Sequence, residues 1–300
     1  MKIIVREMGG LGNQLFQYAA GVYYSTRCQV PLLVAADPDP HAASAGYPRP
    51  FQLSMFQIQA PIRPATKLER VLLTTNRRFR LVAAGLRGLL GAKLFEEPEP
   101  FRFLPELPAR KRASRVYLRA YWQAAGYAAG VESRLREELT LKSQPTGKNL
   151  EMLKRIAASP CPVSVHLRRG DYRLGPHDLT LPMHYYEQAI LSLRQRFSSP
   201  ELFVFSDDIE FASQNLSRVL PMHFVGHNDE FSAFEDLRLM AACRHHIIAN
   251  STFSWWGAWL NPRADKVVFS PKHWRGRTPS YYPDLYPAGW EIIDNLVPSP

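Results

Sequence analysis

Five short apolar runs in the second half of the chain, at 163–167, 202–205, 222–225, 246–249 and 267–269, are separated by stretches of helical periodicity around 185–197, 209–216, 231–243 and 254–260. Each run is too short for a helix and reads as a buried strand. Strands alternating with helices require parallel pairing with crossover connections, so this half is an α/β sheet covered on both faces.

The first half opens in the same way. Residues 2–8 read as a buried strand that Gly9, Gly10 and Gly12 break, after which Leu15, Phe16, Ala19, Ala20 and Tyr23 share one helix face. Residues 31–36 and 116–121 are further strands, 66–90 is expected to form one helix, and the Pro-rich 37–50 is a loop. The polar segment KSQPTGKN at 142–149 is the linker candidate, which gives domains of 1–145 and 146–300. The tail from 271 is rich in Pro, Trp and Tyr, too broken for a helix and too aromatic for disorder. It is expected to pack back on the N-terminal domain.

At 300 residues with 46% hydrophobic and 21% charged side chains, the chain is long enough for two cores and too apolar for disorder. It has no apolar run of about 18 residues that could span a bilayer. MKIIVREMGG lacks the apolar core and cleavage site of a secretory signal, so a cytoplasmic location is expected. Cys28, Cys161 and Cys243 are widely spaced, without a CxxC pair, and read as small buried apolar residues.

The net charge of +10 favours an anionic partner: a nucleotide, a phosphorylated glycan, a membrane surface or nucleic acid. The charge is concentrated between Arg63 and Lys93, where eight Lys and Arg face a single acid, Glu69. That stretch reads either as a solvated helix face or as a contact with the anionic inner leaflet.

Four strand-to-helix junctions carry chemistry. In PVSVHLRRGDY, 162–172, alternation puts Val163, Val165 and Leu167 on one face and Ser164, His166 and Arg168 on the other, leaving Arg168 and Arg169 at the carboxyl end of a parallel strand. Ligands bind at that edge of open α/β sheets, and a guanidinium there suits phosphate oxygens. A domain-boundary ion pair, with Asp171 as one partner, is the plainer reading. In HHIIANSTFSWWGAWL, 245–260, Asn250, Ser251, Thr252 and Ser254 lie where a helix begins, placed for phosphate or for simple capping. Trp255, Trp256 and Trp259 read as core. In LFVFSDDIEFA, Asp207 and Asp208 precede a helix, and a carboxylate there either reads a guanine edge or caps. GGLGNQ, 9–14, lets backbone approach a ligand beside Asn13, although the G-x-G-x-x-G spacing is missing. Asp37-Pro38-Asp39 imitates a metal-binding DxD without any other ligand in view, and His245-His246 has the wrong spacing for a metal pair on one helix face. No metal site is expected.

Together, GGLGNQLFQYA (9–19), HLRRGDY (166–172), FSDD (205–208) and HIIANSTFSWWGAWL (246–260) resemble the bacterial α-1,2-fucosyltransferases of glycosyltransferase family 11. The first segment is also similar to the GxxGNQ opening of protein O-fucosyltransferases. The resemblance implies a GT-B fold, two Rossmann-like domains facing a central cleft, and inverting transfer of L-fucose from GDP-β-L-fucose, with no cofactor besides that donor. It makes Arg168 the principal ligand of the donor pyrophosphate, with His166 and Asp208 toward the guanosine. Ser251, Thr252, Phe253 and Ser254 would line the phosphate and fucose region, and Asn13, Gly10 and Gly12 would face the cleft from the other domain. Arg169, pointing away from its neighbour, would hold structure.

Departure of GDP develops charge on the β-phosphate, which Arg168 and a helix N-terminus would neutralise without a metal ion. Inversion also calls for a general base. Asp171 is the nearest candidate, although an acid there equally orients an arginine. The acceptor implied is the 2-hydroxyl of a galactoside in O-antigen or capsule, lipid-linked at the inner membrane. Rival readings are another inverting GDP-sugar transferase, a different fucosyl linkage, a sugar-binding module, or a basic nucleic-acid-binding protein. For the last there is no recognition helix or RNP-type motif.

Overall fold

Ile3, Ile4 and Val5 are fully buried, as the central strand of a sheet covered on both faces requires. They belong to β1 (Lys2–Glu7), which pairs in parallel with β2 (Leu32–Ala36) on one side and β5 (Arg115–Leu118) on the other. With β3 (Ile62–Pro64) and β4 (Ala92–Phe95) at the edges, the order is β3-β2-β1-β5-β4. The computed structural model describes residues 1–36, 49–74, 76–107, 113–174 and 178–296. The chain divides into two units, Met1–Lys142 with Asp284–Pro287, and Ser143–Pro283 with Ala288–Pro300.

In the first unit, α1 (Leu11–Cys28) lies directly on β1 because Gly21 has no side chain: a Cβ there would fall 2.5 Å from Val5 Cγ2. The opposite face carries α2 (Lys67–Leu72) and α3 (Arg80–Leu89), whose Leu72 and Leu86 join Ile4, Ala35 and Tyr117 in one core. The single helix expected over 66–90 is therefore two. Thr74 Oγ1 accepts the N–H of Asn76 at 3.2 Å, and Asn76 Oδ1 accepts that of Arg78 at 3.0 Å, so local side-chain bonds replace the helical ladder there. A 3-10 turn, Arg77–Phe79, then restarts the helix. Short α4 (Ala125–Ala129) and α5 (Glu132–Glu138) follow β5, and Tyr127 stacks edge-on against Tyr23 and Trp122.

The second unit has six parallel strands, β6 (Cys161–Leu167), β7 (Pro200–Ser206), β8 (Met222–Val225), β9 (His245–Ile247), β10 (Val268–Pro271) and β11 (Glu291–Ile293), ordered β11-β10-β9-β6-β7-β8. Counted within the unit this is 3-2-1-4-5-6, the doubly wound nucleotide-binding order. The tail supplies edge strand β11, with Ile292 beside Ser270, a strand that the aromatic and Pro content had hidden.

Helix α6 (Gly147–Ala158) begins inside the segment read as linker. Helices α7 (Met183–Arg196) and α8 (Ile209–Asn215) pack against Val163, Val165 and Val204. On the other face α6 and α9 (Ala233–Ala242) bury Ile156, Leu239 and Met240 against Phe203 and Phe205. Trp255 and Trp256 of α10 (Thr252–Leu260) are wholly buried and Trp259 nearly so, as core residues. Cys161 and Cys243 are buried too, whereas Cys28, at the end of α1, is partly exposed. Among the described residues no helix is long and apolar enough to cross a membrane.

Candidate active site

β6 is the strand at which the second sheet reverses direction, with β7 on one side and β9 on the other, and the carboxyl ends of strands at such a switch point are where doubly wound sheets bind ligands. Three of the four sequence motifs end on that edge. Arg168 and Arg169 follow β6, Asp207 and Asp208 follow β7, and Asn250 and Ser251 follow β9 and lead into α10.

The two arginines part. Arg168, four-fifths buried, sets Nη2 2.7 Å from Asp171 Oδ1 and Nη1 3.1 Å from Asp207 Oδ2. Burial works against its charge, but Asp207 and Asp171 more than offset that and raise its pKa. Arg169 instead pairs with Asp208, Nε to Oδ2 3.2 Å, with its guanidinium carbon 3.2 Å from the centre of the Phe211 ring. Asp208 also caps α8, accepting the N–H of Phe211 at 3.1 Å, so both its oxygens have partners. Asp207 accepts the backbone N–H groups of Arg169 and Gly170 at 2.9 and 3.0 Å. The motif reading singled out Asp208 and passed over this bridging role of Asp207, whose signal was its place as first carboxylate after the strand.

His166 is buried beneath the arginines, its ring 5.8 Å from that of Phe253, and its Nδ1 has no hydrogen-bond partner. Burial, reinforced by the charge on Arg168, pulls its pKa down to about 3, so the ring is neutral. On the neighbouring strand end, Asn250 donates to the carbonyls of Leu179 and Trp274, both at 2.9 Å, while its Oδ1 is buried without a partner. Tyr172 ties the two loops by donating to the Asn250 carbonyl at 2.9 Å. Asn250, expected as a phosphate or capping residue, thus braces the loops instead, and Tyr172 joins it without having been expected there. Two buried polar atoms without partners lie at adjacent strand ends.

The hydroxyls beyond β9 are partly committed to structure. Ser251 caps α10, its Oγ accepting from Phe253 N at 3.3 Å, and Ser254 Oγ accepts the N–H of Ala249 at 3.2 Å and donates to the Ser251 carbonyl at 3.3 Å. Thr252 and Phe253 are half-buried at the start of the helix.

The fourth motif sits at the corresponding edge of the first unit, where β1 separates β2 from β5. Gly9 has φ +79°, and a Cβ on it would lie 2.8 Å from Asn13 Nδ2. Gly10 occupies the N-cap of α1 without a side-chain cap, and Gly12 is buried in the first turn. Asn13 Oδ1 accepts from Gln123 Nε2 at 2.8 Å, which joins α1 to the segment after β5. Two glutamines that the motif reading left aside hold the turn: Gln14 donates to the carbonyls of Gly9 and Pro50, each at 2.9 Å, and Gln17 pairs with both the N–H and the C=O of Met8 at 2.8 Å.

Among the described residues no three His, Cys, Asp or Glu side chains are grouped to hold a metal ion. Asp37, Pro38 and Asp39 lie outside the described residues.

The model of glycosyl transferase family 11 matches residues 101–293. The chain belongs to that family. Over 283 residues, 89% of this chain and 92% of the relative, the family 11 chain is 32% identical to the O-antigen biosynthesis glycosyltransferase WbnK of Escherichia coli. It is 30% identical to the α-1,2-colitosyltransferase of Escherichia coli over 97% of this chain and 99% of that one. Among solved structures, fucosyltransferase NodZ from Bradyrhizobium superposes with a TM-score of 0.54 at 15% identity, over 90% of this chain and 94% of that one. That likeness is one of fold, and it agrees with the two parallel sheets in assigning the family 11 chain an α/β architecture of GT-B type.

Proposed function

We propose that this glycosyltransferase moves L-fucose from GDP-β-L-fucose to the 2-hydroxyl of a galactoside, with inversion and without a metal ion, in assembly of an O-antigen or capsule glycan. The observation that carries the reading is Arg168, held between Asp171 and Asp207 at the switch point of a nucleotide-binding sheet in a family 11 chain. The motif resemblance supports fucose as the sugar, and the likeness to WbnK supports O-antigen as the destination.

In this reaction the bond from the sugar C1 to the β-phosphate oxygen breaks as the acceptor oxygen bonds to C1 from the opposite face. The leaving electron pair collects on GDP. A guanidinium already oriented by two carboxylates stabilises that charge with little reorganisation, and its fork has more N–H groups than those carboxylates use. His166 Nδ1 and Asn250 Oδ1 are buried polar atoms without partners at the same strand ends. Asp171, bonded to Arg168 through Nε at 3.0 Å and Nη2, serves better to position that arginine than to take the acceptor proton.

A second reading follows from the likeness to the α-1,2-colitosyltransferase, with colitose in place of fucose. GDP release with EDTA present, offering GDP-fucose or GDP-colitose with lactose as acceptor, separates the two readings. Turnover with GDP-fucose and a new α-1,2 linkage in the product support fucose. Turnover with GDP-colitose alone assigns the second sugar, and dependence on added divalent cation overturns the metal-free step.

A further inference from the structure

Helix α3 has one apolar arc, wider than the part that meets the sheet. At 3.6 residues per turn Ala83 and Leu86 share the side that meets the sheet, and they pack there. Val82 and Leu89 continue that apolar arc past the part that the sheet covers, and Leu81 lies beyond them, exposed by 59%, 83% and 86%. Phe79, just ahead of the helix, is 56% exposed, and α2 alongside exposes Leu68 and Val71. Single apolar residues in solvent need no explanation, but a cluster of large ones does.

The charged residues from Arg63 to Lys93 are cations but for one. Glu69, the one acid between Arg63 and Lys93, is buried and holds Arg63 through both oxygens at 2.6 and 2.7 Å. Arg87 turns inward to the Leu72 carbonyl. Lys67, Arg78, Arg80 and Lys93 are exposed. The outer surface of α2 and α3 therefore combines large apolar side chains with cations and presents no carboxylate from this stretch.

A nucleic acid would use the cations and leave the leucines in water. An anionic bilayer uses both, since apolar side chains enter the acyl boundary while Lys and Arg meet the headgroups. We propose that the α2–α3 surface docks this protein on anionic lipid bilayers. The inference is independent of which sugar is transferred.

The test is flotation of the full chain with vesicles of phosphatidylcholine alone or with phosphatidylglycerol added. Binding is expected to the mixed vesicles and to weaken at high salt. Leu81→Ser with Leu89→Ser should reduce partitioning by about tenfold or more, and Arg78→Glu with Arg80→Glu should remove the preference for phosphatidylglycerol. Both variants should melt like the parent and keep turnover on a soluble acceptor, which separates this result from any failure of the transferase reading. The proposal is overturned by absence of binding to mixed vesicles, or by unchanged binding of the serine variant. It is equally overturned by self-association through this face, lost in the serine variant, without vesicle binding.

Discussion

Asp207 reaches Arg168 at 3.1 Å while the same carboxylate accepts the backbone N–H groups of Arg169 and Gly170. One aspartate at the end of β7 thus fixes a side chain and a main-chain turn at the end of β6. If the fork of Arg168 stabilises the leaving GDP, Arg168→Ala should lower kcat by about 10²–10³. Arg168→Lys should recover little of it, because an ammonium keeps the charge and loses the planar geometry. Asp207→Asn should cost about tenfold in kcat, the equivalent of roughly one hydrogen bond. Steady-state GDP release with circular dichroism as a folding control checks all three, and a fully active Arg168→Lys variant would sink the fork argument.

The neutral His166 makes a prediction about pH. Its native pKa of about 3 lies below its ordinary value of 6.5, so below 6.5 the unfolded chain takes up a proton that the folded one refuses. Its contribution to stability is complete above pH 6.5 and is lost as pH falls toward 3. Relative to the parent, His166→Asn should therefore fare progressively better as pH drops from 7 to 5 in urea titrations. The same neutrality predicts no limb from His166 in the kcat profile between pH 5 and 8. A limb near 6.5 that disappears in His166→Asn would mean that the ring titrates in the native enzyme.

Much of this was legible in the sequence, for identifiable reasons. The strands of the second sheet are continuous apolar runs because helices cover both faces, and the ligand-facing residues follow each run directly, so position alone placed Arg168, Asp207 and Asn250 on one edge. Long-range partners had no such signal. That Arg168 takes Asp207, 39 positions away, while Arg169 takes Asp208 depends on the parallel register of β6 and β7, where Leu167 faces Ser206. Strand β11 escaped because an edge strand of three residues between Pro and Trp has no periodicity to read. The break between α2 and α3 lies in Thr74 and Asn76, whose side-chain bonds outweigh the apolar pattern that runs through them.

The turn after β1 depends on Gln17, buried in α1, whose amide bonds both polar groups of the Met8 backbone. Gln17→Leu keeps roughly the volume and removes both bonds, leaving a partly buried N–H and C=O without the amide. Loss of about 2–4 kcal/mol of stability is expected, on the scale of 1–3 kcal/mol for each unsatisfied group. Gly9→Ala should also destabilise, through its positive φ and the clash with Asn13, and at the site should show a raised KM if Asn13 faces substrate. Thermal melts together with KM measurements test both variants. A Gln17→Leu protein that melts like the parent would mean that water replaces the amide.

Glu7, the last residue of β1, is 1% exposed, and neither of its carboxylate oxygens has a hydrogen-bond partner. Burial alone drives its pKa well above the ordinary carboxyl value of 4.5, so the native side chain stays protonated where the unfolded one is ionised. A raised native pKa gives a contribution to stability that is whole below pH 4.5 and is lost as pH rises toward the native value. Glu7→Gln mimics the protonated acid at every pH. Its amide still leaves buried polar atoms unpaired, a cost that does not depend on pH, so only the pH dependence of the difference is diagnostic. In urea titrations at pH 5, 6.5 and 8, the stability of Glu7→Gln relative to the parent should be greater at the higher pH values than at pH 5. A difference that is flat over this range would mean that Glu7 is ionised in the folded protein, and that a cation close to the turn after β1 balances its charge.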